Sequence, residues 1–199
     1  MSSLSHSASP HAPRVPRVLA DLVPRTFAAD VALVLGAAAL IGVCAQVSIP
    51  LWPVPLTLQT FAVLLAATAL GSLRSLLATT VYLLAGVAGM PWFSDGRSGW
   101  GGSPSFGYIL GFLLAALVVG RLSERMSTRS PWRVFALNIL GSALIYAVGV
   151  PWLMATLHVG VAQGLDYGLY DFVPGDLVKS AAAAGLLPAT WALVDRIRR

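Results

Sequence analysis

The chain has 199 residues, of which 57% are hydrophobic and 11% charged, and its formal net charge is +5. Soluble domains carry about twice this charged fraction, so this composition excludes a soluble core, and it also excludes disordered, coiled-coil and collagen-like chains. Cys44 is the single cysteine, which excludes an intramolecular disulfide and a cysteine metal cluster. The composition therefore predicts an all-α integral membrane protein.

The N-terminal segment differs from the rest of the chain. Residues 1–24 are rich in Ser, Pro and Arg and contain no long apolar stretch. Because a central apolar core and a small-residue cleavage site are missing, the segment does not resemble a signal peptide. We expect a flexible cytosolic tail over 1–24 and a membrane domain over 25–199.

Six apolar segments follow the tail, and each is predicted to be a transmembrane helix. The second and third are short for a span, so we expect them to tilt or to use their flanking residues. A proline-rich stretch separates the first two segments, and a GSLRS turn separates the second from the third. The predicted segments are 26–47, 57–70, 75–89, 106–119, 134–157 and 177–194.

The arginines predict the orientation of the chain. Eleven of the twelve arginines fall on one side of the six helices, and the positive-inside rule makes that side, with both termini, cytoplasmic. Arg97 and Lys179, the single lysine, fall on the other side. The positive charge is therefore a topology signal, and nucleic acid is excluded as a partner.

No enzymatic motif is present in the sequence. The patterns GxxxxGK[ST], HExxH and GxSxG are all missing, so the chain cannot hydrolyse ATP itself and is not predicted to be an enzyme. A channel would need polar residues that repeat along several helices, and these segments lack them. We expect no cofactor and no metal site.

The start of the last segment carries the strongest candidate site. In FVPGDLVKS, Asp176 falls in the first turn of a helix and Lys179 follows three residues later on the same face. Ionisable groups in membrane helices mark substrate or ion pathways, and an acid beside an amine suits a ligand with N–H donors and a carbonyl or carboxylate. A helix-starting acid with a lysine that extends to the membrane interface explains the pattern equally well.

The loop over 91–105 is rich in glycine and is predicted to be a functional lid. An interfacial belt is the alternative explanation for its aromatic residues. If the loop covers a ligand, nearby aromatic side chains supply apolar walls, namely Phe93, Trp100, Phe106 and Tyr108.

Small and polar residues inside the apolar segments predict contacts between helices. Ala28, Ala32 and Gly36 recur every fourth residue, and this flat face suits internal packing or docking of a partner membrane subunit equally well. Gly111 is expected at a close helix contact. Four polar side chains are expected to avoid lipid, mostly by hydrogen bonds between helices: Gln46, Gln59, Asn138 and Tyr146.

Four motifs resemble, in order, the BioY family, the biotin-binding membrane subunits (S components) of energy-coupling factor (ECF) transporters. These motifs are IPLWPVPLTLQTFAVLLAATALG, YLLAGVAGMPWF, GYILGF and VPGDLVK, and the similarity runs from about Val31 to Leu187. The resemblance implies a six-helix S-component fold with a biotin pocket near the extracellular face of a bacterial plasma membrane. It also implies docking to a coupling transmembrane subunit that carries two ATPase subunits.

The resemblance assigns roles to individual residues. Asp176 and Lys179, from the PGDxxK motif, are implied to contact biotin, through a ureido N–H and through the carbonyl or carboxylate. The face of Ala28, Ala32 and Gly36 is similar to the pattern by which S components dock. The matched motifs give Thr57, Gln59 and Tyr108 as further candidate ligand contacts. Phe93 and Asp95 are candidates from the loop itself, where Asp95 is not matched to the family.

The loop is less uniformly glycine than is usual in the family, which leaves the positions of its ligand contacts open. An S component for a different vitamin and a solitary biotin transporter without the ECF module remain alternatives. Assembly into a homo-oligomer is left open by the sequence.

Overall fold

The computed structural model describes residues 16–126 and 128–198, and these residues are mostly helical, which confirms the all-α class. Four helical stretches of the described residues are long and apolar enough to cross a membrane: α1, α4, α5 and the stretch from α6 to α7. The other two long helices, α2 and α3, have 12 and 16 residues. The helices are α1 (Phe27–Gln46), α2 (Gln59–Leu70), α3 (Ser72–Val87), α4 (Phe106–Met126), α5 (Pro131–Leu157), α6 (Val161–Leu165) and α7 (Val173–Ile197).

The turn between α2 and α3 is shorter than predicted. Gly71 alone connects the two helices, with a left-handed φ of 83°. Glu124 from α4 caps α3, because its Oε1 accepts hydrogen bonds from the backbone N of Ser72 at 2.7 Å and from its Oγ at 2.8 Å. The prediction of a GSLRS turn is therefore wrong, since a carboxylate from another helix satisfies the first amide of α3 and lets it begin before Ser75.

Both α4 and α7 extend past the apolar segments predicted at 106–119 and 177–194. Hydropathy marks the point where a helix leaves the apolar layer, whereas its backbone hydrogen bonds continue into the polar region. In the polar end of α4, Ser123 Oγ donates to the carbonyl of Val119 at 2.8 Å. Arg121 and Glu124 form an i,i+3 ion pair there at 3.4 Å, which supports a helix exposed to water.

Two connections between the predicted segments carry short secondary structure. β1 (Ser48–Ile49) and β2 (Leu56–Thr57) form an antiparallel hairpin, and the prolines of the IPLWPVP stretch lie at its strand edge and turn, where no ladder hydrogen bond is needed. Between α5 and α7, α6 continues into a π-helix over 166–170. Trp52 of the hairpin packs edge-on against Tyr167 of the π-helix, with ring centroids 5.2 Å apart.

The helix α4 lies at the centre of the core, in contact with α2, α3 and α5. Small residues permit this close packing, as membrane helix interfaces commonly require. A Cβ atom added at Gly111 would lie 2.8 Å from the backbone oxygen of Ile145 in α5, and one added at Gly120 would lie 2.5 Å from the Cα of Ser72 in α3. The expected close helix contact at Gly111 is therefore confirmed.

Basic side chains gather at the end of the bundle where α1 begins and α7 ends. Arg74, in the first turn of α3, pairs with Asp30 of α1 at 2.6 Å. Arg129, from the α4–α5 connection, pairs with Asp195 of α7 at 2.5 Å. These ion pairs join α1 to α3, and the α4–α5 connection to α7, at one end of the bundle.

The described part of the predicted tail packs against this end. Residues 19–22 form a 3-10 helix, and Val18 and Ala20 are buried. The backbone oxygen of Arg17 accepts a hydrogen bond from Thr128 Oγ1 at 3.3 Å. Packed structure therefore begins before residue 25, while residues 1–15 of the predicted tail lie outside the described residues.

We expect Gly111→Ala to lower the thermal stability of the protein in detergent, because the added methyl group must displace the α5 backbone. Crowding of this kind costs about 1–3 kcal/mol. Gly185→Ala in α7 is the matched control, since a Cβ atom there has no atom within 4 Å, and it should leave the melting temperature unchanged or slightly raised. Equal melting temperatures for the two variants would contradict the close contact of α4 with α5.

Candidate functional site

A cavity of about 190 Å³ lies where α4 and α7 begin, at the end of the bundle opposite the one where α1 begins and α7 ends. The hairpin, the loop over 91–105, and helices α2, α4, α5 and α7 all contribute to it. Its lining residues are Val54, Pro55, Leu56, Thr57, Gln59, Thr60, Phe93, Ser94, Arg97, Ser98, Gly99, Gly101, Ser103, Ser105, Phe106, Tyr108, Ile109, Phe112, Tyr146, Phe172 and Lys179.

The first turns of α7 place the predicted acid and amine side by side. Lys179 Nζ lies 2.9 Å from Asp176 Oδ1, and the two side chains are only 13% and 6% exposed. Lys179 lines the cavity, whereas Asp176 lies behind it and does not contribute to the lining. The lysine therefore turns into the protein, which argues against the alternative in which it extends to the membrane interface.

Two hydroxyl side chains that were not predicted as ligand contacts surround this pair. Thr60 Oγ1 donates to Asp176 Oδ1 at 3.1 Å and accepts from Lys179 Nζ at 2.9 Å. Tyr146 donates its hydroxyl proton to Asp176 Oδ2 at 2.7 Å, as its predicted role between helices requires. Helices α2, α5 and α7 thus meet at one buried carboxylate. Two features of the sequence could have indicated these residues. Thr60 directly follows the candidate Gln59, and Tyr146 places a phenol within an apolar helix.

Three further predicted contacts line the cavity, but their polar atoms bond to the protein itself. Gln59 Nε2 donates to the hydroxyl of Tyr82 at 2.6 Å, and Gln59 Oε1 accepts from Thr57 Oγ1 at 3.1 Å. The Tyr108 hydroxyl donates to the backbone oxygen of Gly168 at 2.8 Å. Their side chains form the wall of the cavity, and these hydrogen bonds hold α2, α3 and α4 in position around it.

The loop over 91–105 brings Phe93 and Arg97 to the cavity and leaves Asp95 outside the lining. Asp95 instead links the loop to the hairpin, since it pairs with Arg97 at 2.7 Å and accepts from Ser48 Oγ at 3.3 Å. Gln46 anchors the loop to α1, because its Nε2 donates to the carbonyl of Phe93 at 3.2 Å. The loop is therefore held at two points beside the cavity.

Aromatic rings supply most of the apolar wall. Phe106, Phe112 and Phe172 line the cavity together with Tyr108, whose ring stacks with that of Phe172 at 6.1 Å. Trp100, which was predicted as part of this wall, is instead 75% exposed. Among the described residues that line the cavity, the basic ones are Arg97 on the loop and Lys179 on α7, and none is acidic. Such a cavity suits a ligand with an apolar body and polar groups at both ends.

The small face of α1 lies away from the cavity. Ala28, Ala32 and Gly36 are all exposed, and a Cβ atom added at Gly36 would meet nothing within 4 Å. The buried side of α1 instead carries residues such as Val34 and Ile41. Packing against this chain's own helices therefore does not account for the small face.

Comparisons with known proteins agree with the geometry. A sequence model of the BioY family matches residues 14–196. The chain is 40% identical over 151 residues to the biotin transporter BioY of Thermotoga maritima, covering 73% of this chain and 86% of that protein. It is 41% identical over 165 residues to the probable biotin transporter BioY of Lysinibacillus sphaericus, covering 80% and 82%.

A solved structure shares the fold. The crystal structure of the S-component for biotin from an ECF-type ABC transporter superposes with a TM-score of 0.78. The match covers 85% of this chain and 94% of that chain, at 21% sequence identity. At this identity, the match shows the common fold of the two proteins.

We expect Lys179→Met to destabilise the ligand-free protein, because it leaves the carboxylate of Asp176 buried without a cation. Loss of one partner of a buried ion pair costs roughly 3–5 kcal/mol. The double variant Asp176→Leu/Lys179→Met should recover part of this stability, since apolar residues of similar size replace the pair. Thermal unfolding in detergent measures both effects.

The control for this experiment is the exposed ion pair of the loop. Arg97→Met removes the partner of Asp95, and both side chains of that pair are about half exposed, at 52% and 46%. Its loss should cost less than about 1 kcal/mol. If Lys179→Met unfolds at the same temperature as Arg97→Met or higher, the result would contradict a buried ion pair between Asp176 and Lys179.

Proposed function

The chain belongs to the BioY family, and we propose that it is a membrane subunit that binds biotin and mediates its uptake across the bacterial plasma membrane. The named relatives at 40% and 41% identity are transporters, and no catalytic reaction forms part of the proposal. The observation that carries the proposal is the position of Lys179. Its side chain lines the cavity and forms a buried ion pair with Asp176. Biotin is the transported ligand, and no cofactor is required.

The chemistry of biotin matches that of the cavity. Biotin has a fused ring system with a ureido group at one end and a carboxylate at the end of an aliphatic tail. Lys179 can donate to the ureido carbonyl or to the carboxylate, and Arg97 offers a second charged donor. The aromatic walls suit the ring system and the tail. Asp176 contributes by holding Lys179 and Tyr146 in place.

We also propose that α1 to α5 and α7 cross the membrane, with both termini in the cytoplasm. The arginine-rich end then faces the cytoplasm by the positive-inside rule, and the cavity faces the outside. A spanning helix needs about 20 residues, so α2 and α3 cross only together with their flanks. The hairpin and the loop over 91–105 supply those flanks beside the cavity, where irregular backbone at membrane depth is tolerated. The segment 1–24 is proposed to lie on the cytosolic side of a membrane domain over 25–199, with Val18 and Ala20 packed against the arginine-rich end.

The exposed face of α1 is the proposed docking surface for an ECF coupling transmembrane subunit, which would carry two ATPase subunits. Ala28, Ala32 and Gly36 expose a flat strip on which a partner helix can approach closely. The chain has no GxxxxGK[ST] motif, so any ATP-driven step must come from another chain. The solved structure with the same fold comes from an ECF-type ABC transporter.

Biotin binding in detergent tests the proposed ligand. We expect the wild-type chain to bind labelled biotin, with unlabelled riboflavin and thiamine failing to compete. Lys179→Ala should lose at least about tenfold in affinity, since the ligand loses a donor and Asp176 loses its cation. Equilibrium binding to the purified protein measures both results.

The matched control is Arg121→Ala, at the opposite end of α4, where the side chain is 62% exposed; it should bind biotin normally. Near-normal affinity of Lys179→Ala would contradict the role of Lys179. Competition by riboflavin or thiamine would favour an S component for a different vitamin.

Co-purification tests the docking surface. We expect Gly36→Leu to bind biotin normally and to lose assembly with the coupling subunit, because a bulky side chain on the flat strip blocks close helix approach. Gly185→Leu in α7 is the matched control, since that glycine also has no atom within 4 Å of an added Cβ atom, and its assembly should be retained. Unchanged co-purification of Gly36→Leu would contradict this docking surface.

A further inference from the structure

The carboxylate of Asp176 determines the direction of every hydrogen bond around it. An ionised carboxylate only accepts hydrogen bonds, and a lysine ammonium only donates them. With Lys179 Nζ at 2.9 Å, Asp176 is the charged partner of a buried ion pair. The two hydroxyl groups that touch the carboxylate, those of Thr60 and Tyr146, must therefore point their protons at it.

This constraint leaves a defined set of free groups at the buried end of the cavity. The single hydroxyl proton of Tyr146 is used on Asp176, so its oxygen is available only as an acceptor. Lys179 uses two of its three N–H bonds, on Asp176 and Thr60, and retains one as a donor. An acceptor and a donor are thus held by the two oxygens of one carboxylate, and the side chains of Tyr146 and Lys179 both line the cavity.

The neighbouring polar residues do not join an acceptor and a lysine at one carboxylate. The Gln59 amide bonds to Tyr82 and Thr57. The Tyr108 hydroxyl donates to the backbone carbonyl of Gly168, so its oxygen is also an acceptor, but its proton goes to a backbone group that no lysine contacts in these hydrogen bonds. The serines of the loop have hydroxyl groups that can rotate, so they can donate or accept. Tyr146 and Lys179 are therefore the acceptor and the donor that share one buried carboxylate at this end of the cavity.

We infer that Tyr146 is a specificity-determining residue whose oxygen accepts a hydrogen bond from a ligand N–H, while Lys179 donates to the adjacent carbonyl. The group that satisfies both is a urea or amide edge, with an N–H beside a C=O. A carboxylate or ester at this position would direct a lone pair at the Tyr146 oxygen. This inference rests on the proposed function, and it assigns the ureido ring of biotin to the buried end of the cavity.

Binding of isosteric ligands to Tyr146→Phe tests the inference. The probes are biotin and its two cyclic carbamate analogues, in each of which one ureido N–H is replaced by oxygen. The wild-type chain should prefer biotin to one of these analogues by at least about tenfold, since two acceptors then face each other without a proton. In Tyr146→Phe the acceptor is gone, and this preference should fall below about threefold.

The ratio of the affinities for biotin and for the carbamate analogue distinguishes a Tyr146 that contacts the ligand from one that only supports Asp176. If Tyr146 only supports Asp176, the variant should lose affinity for biotin and for both analogues by the same factor, and an unchanged preference overturns the inference. Tyr170→Phe is the matched control, because Tyr170 is 58% exposed and does not line the cavity, and it should retain the wild-type preference. Failure of the wild-type chain to bind biotin would instead contradict the proposed function, and this inference with it.

A structure of the wild-type chain with biotin provides a measurement that does not depend on the folding of any variant. The inference requires a ureido nitrogen within about 3.2 Å of the Tyr146 oxygen. A carboxylate of biotin in that position, or no nitrogen within hydrogen-bond distance of Tyr146, would overturn it.

Discussion

A single buried carboxylate organises the end of the bundle that contains the cavity. Burial of a charge in an apolar domain is costly unless donors surround it. The donors to Asp176 come from three different helices, namely Thr60 from α2, Tyr146 from α5 and Lys179 from α7. The same contacts that satisfy the charge therefore set the rotation of α7 against its neighbours. They also fix the hydrogen bonds of Tyr146 and Lys179, which line the cavity, so the packing of this end and the polar lining of the cavity share one physical origin.

The two sides of the cavity are held in different ways. On the helix side, small residues let the helices approach closely, as at Gly111 and at Gly149, where an added Cβ atom would lie 2.5 Å from the ring of Tyr108. On the loop side, the chain is positioned by hydrogen bonds from Gln46 and by the pair between Asp95 and Arg97. The loop side thus combines the buried ring of Phe93 with a half-exposed ion pair, whereas the helix side is held by buried close contacts.

Local patterns in the sequence predicted features that lie within a few residues of one another. The pair at Asp176 and Lys179 is one turn apart, and the structure keeps it on one face. Thr60 escaped prediction as a partner, because it reaches Asp176 across 116 positions. The start of α3 was missed for the same reason, since its cap, Glu124, is 52 residues away. Asn138 was expected to bond between helices, yet its buried Oδ1 has no partner among the described residues.

The sequence by itself determined the membrane class, the helical segments, the charged end and the family, because these depend on composition, local spacing and the order of motifs. Only the tertiary structure decided that Lys179 lines the cavity with Asp176 behind it, and that Asp95 lies outside while Arg97 lies within. It also decided that the small face of α1 is exposed. The physical reason is that the direction of a side chain follows from the rotation and packing of its whole helix or loop, which contacts distant in sequence establish.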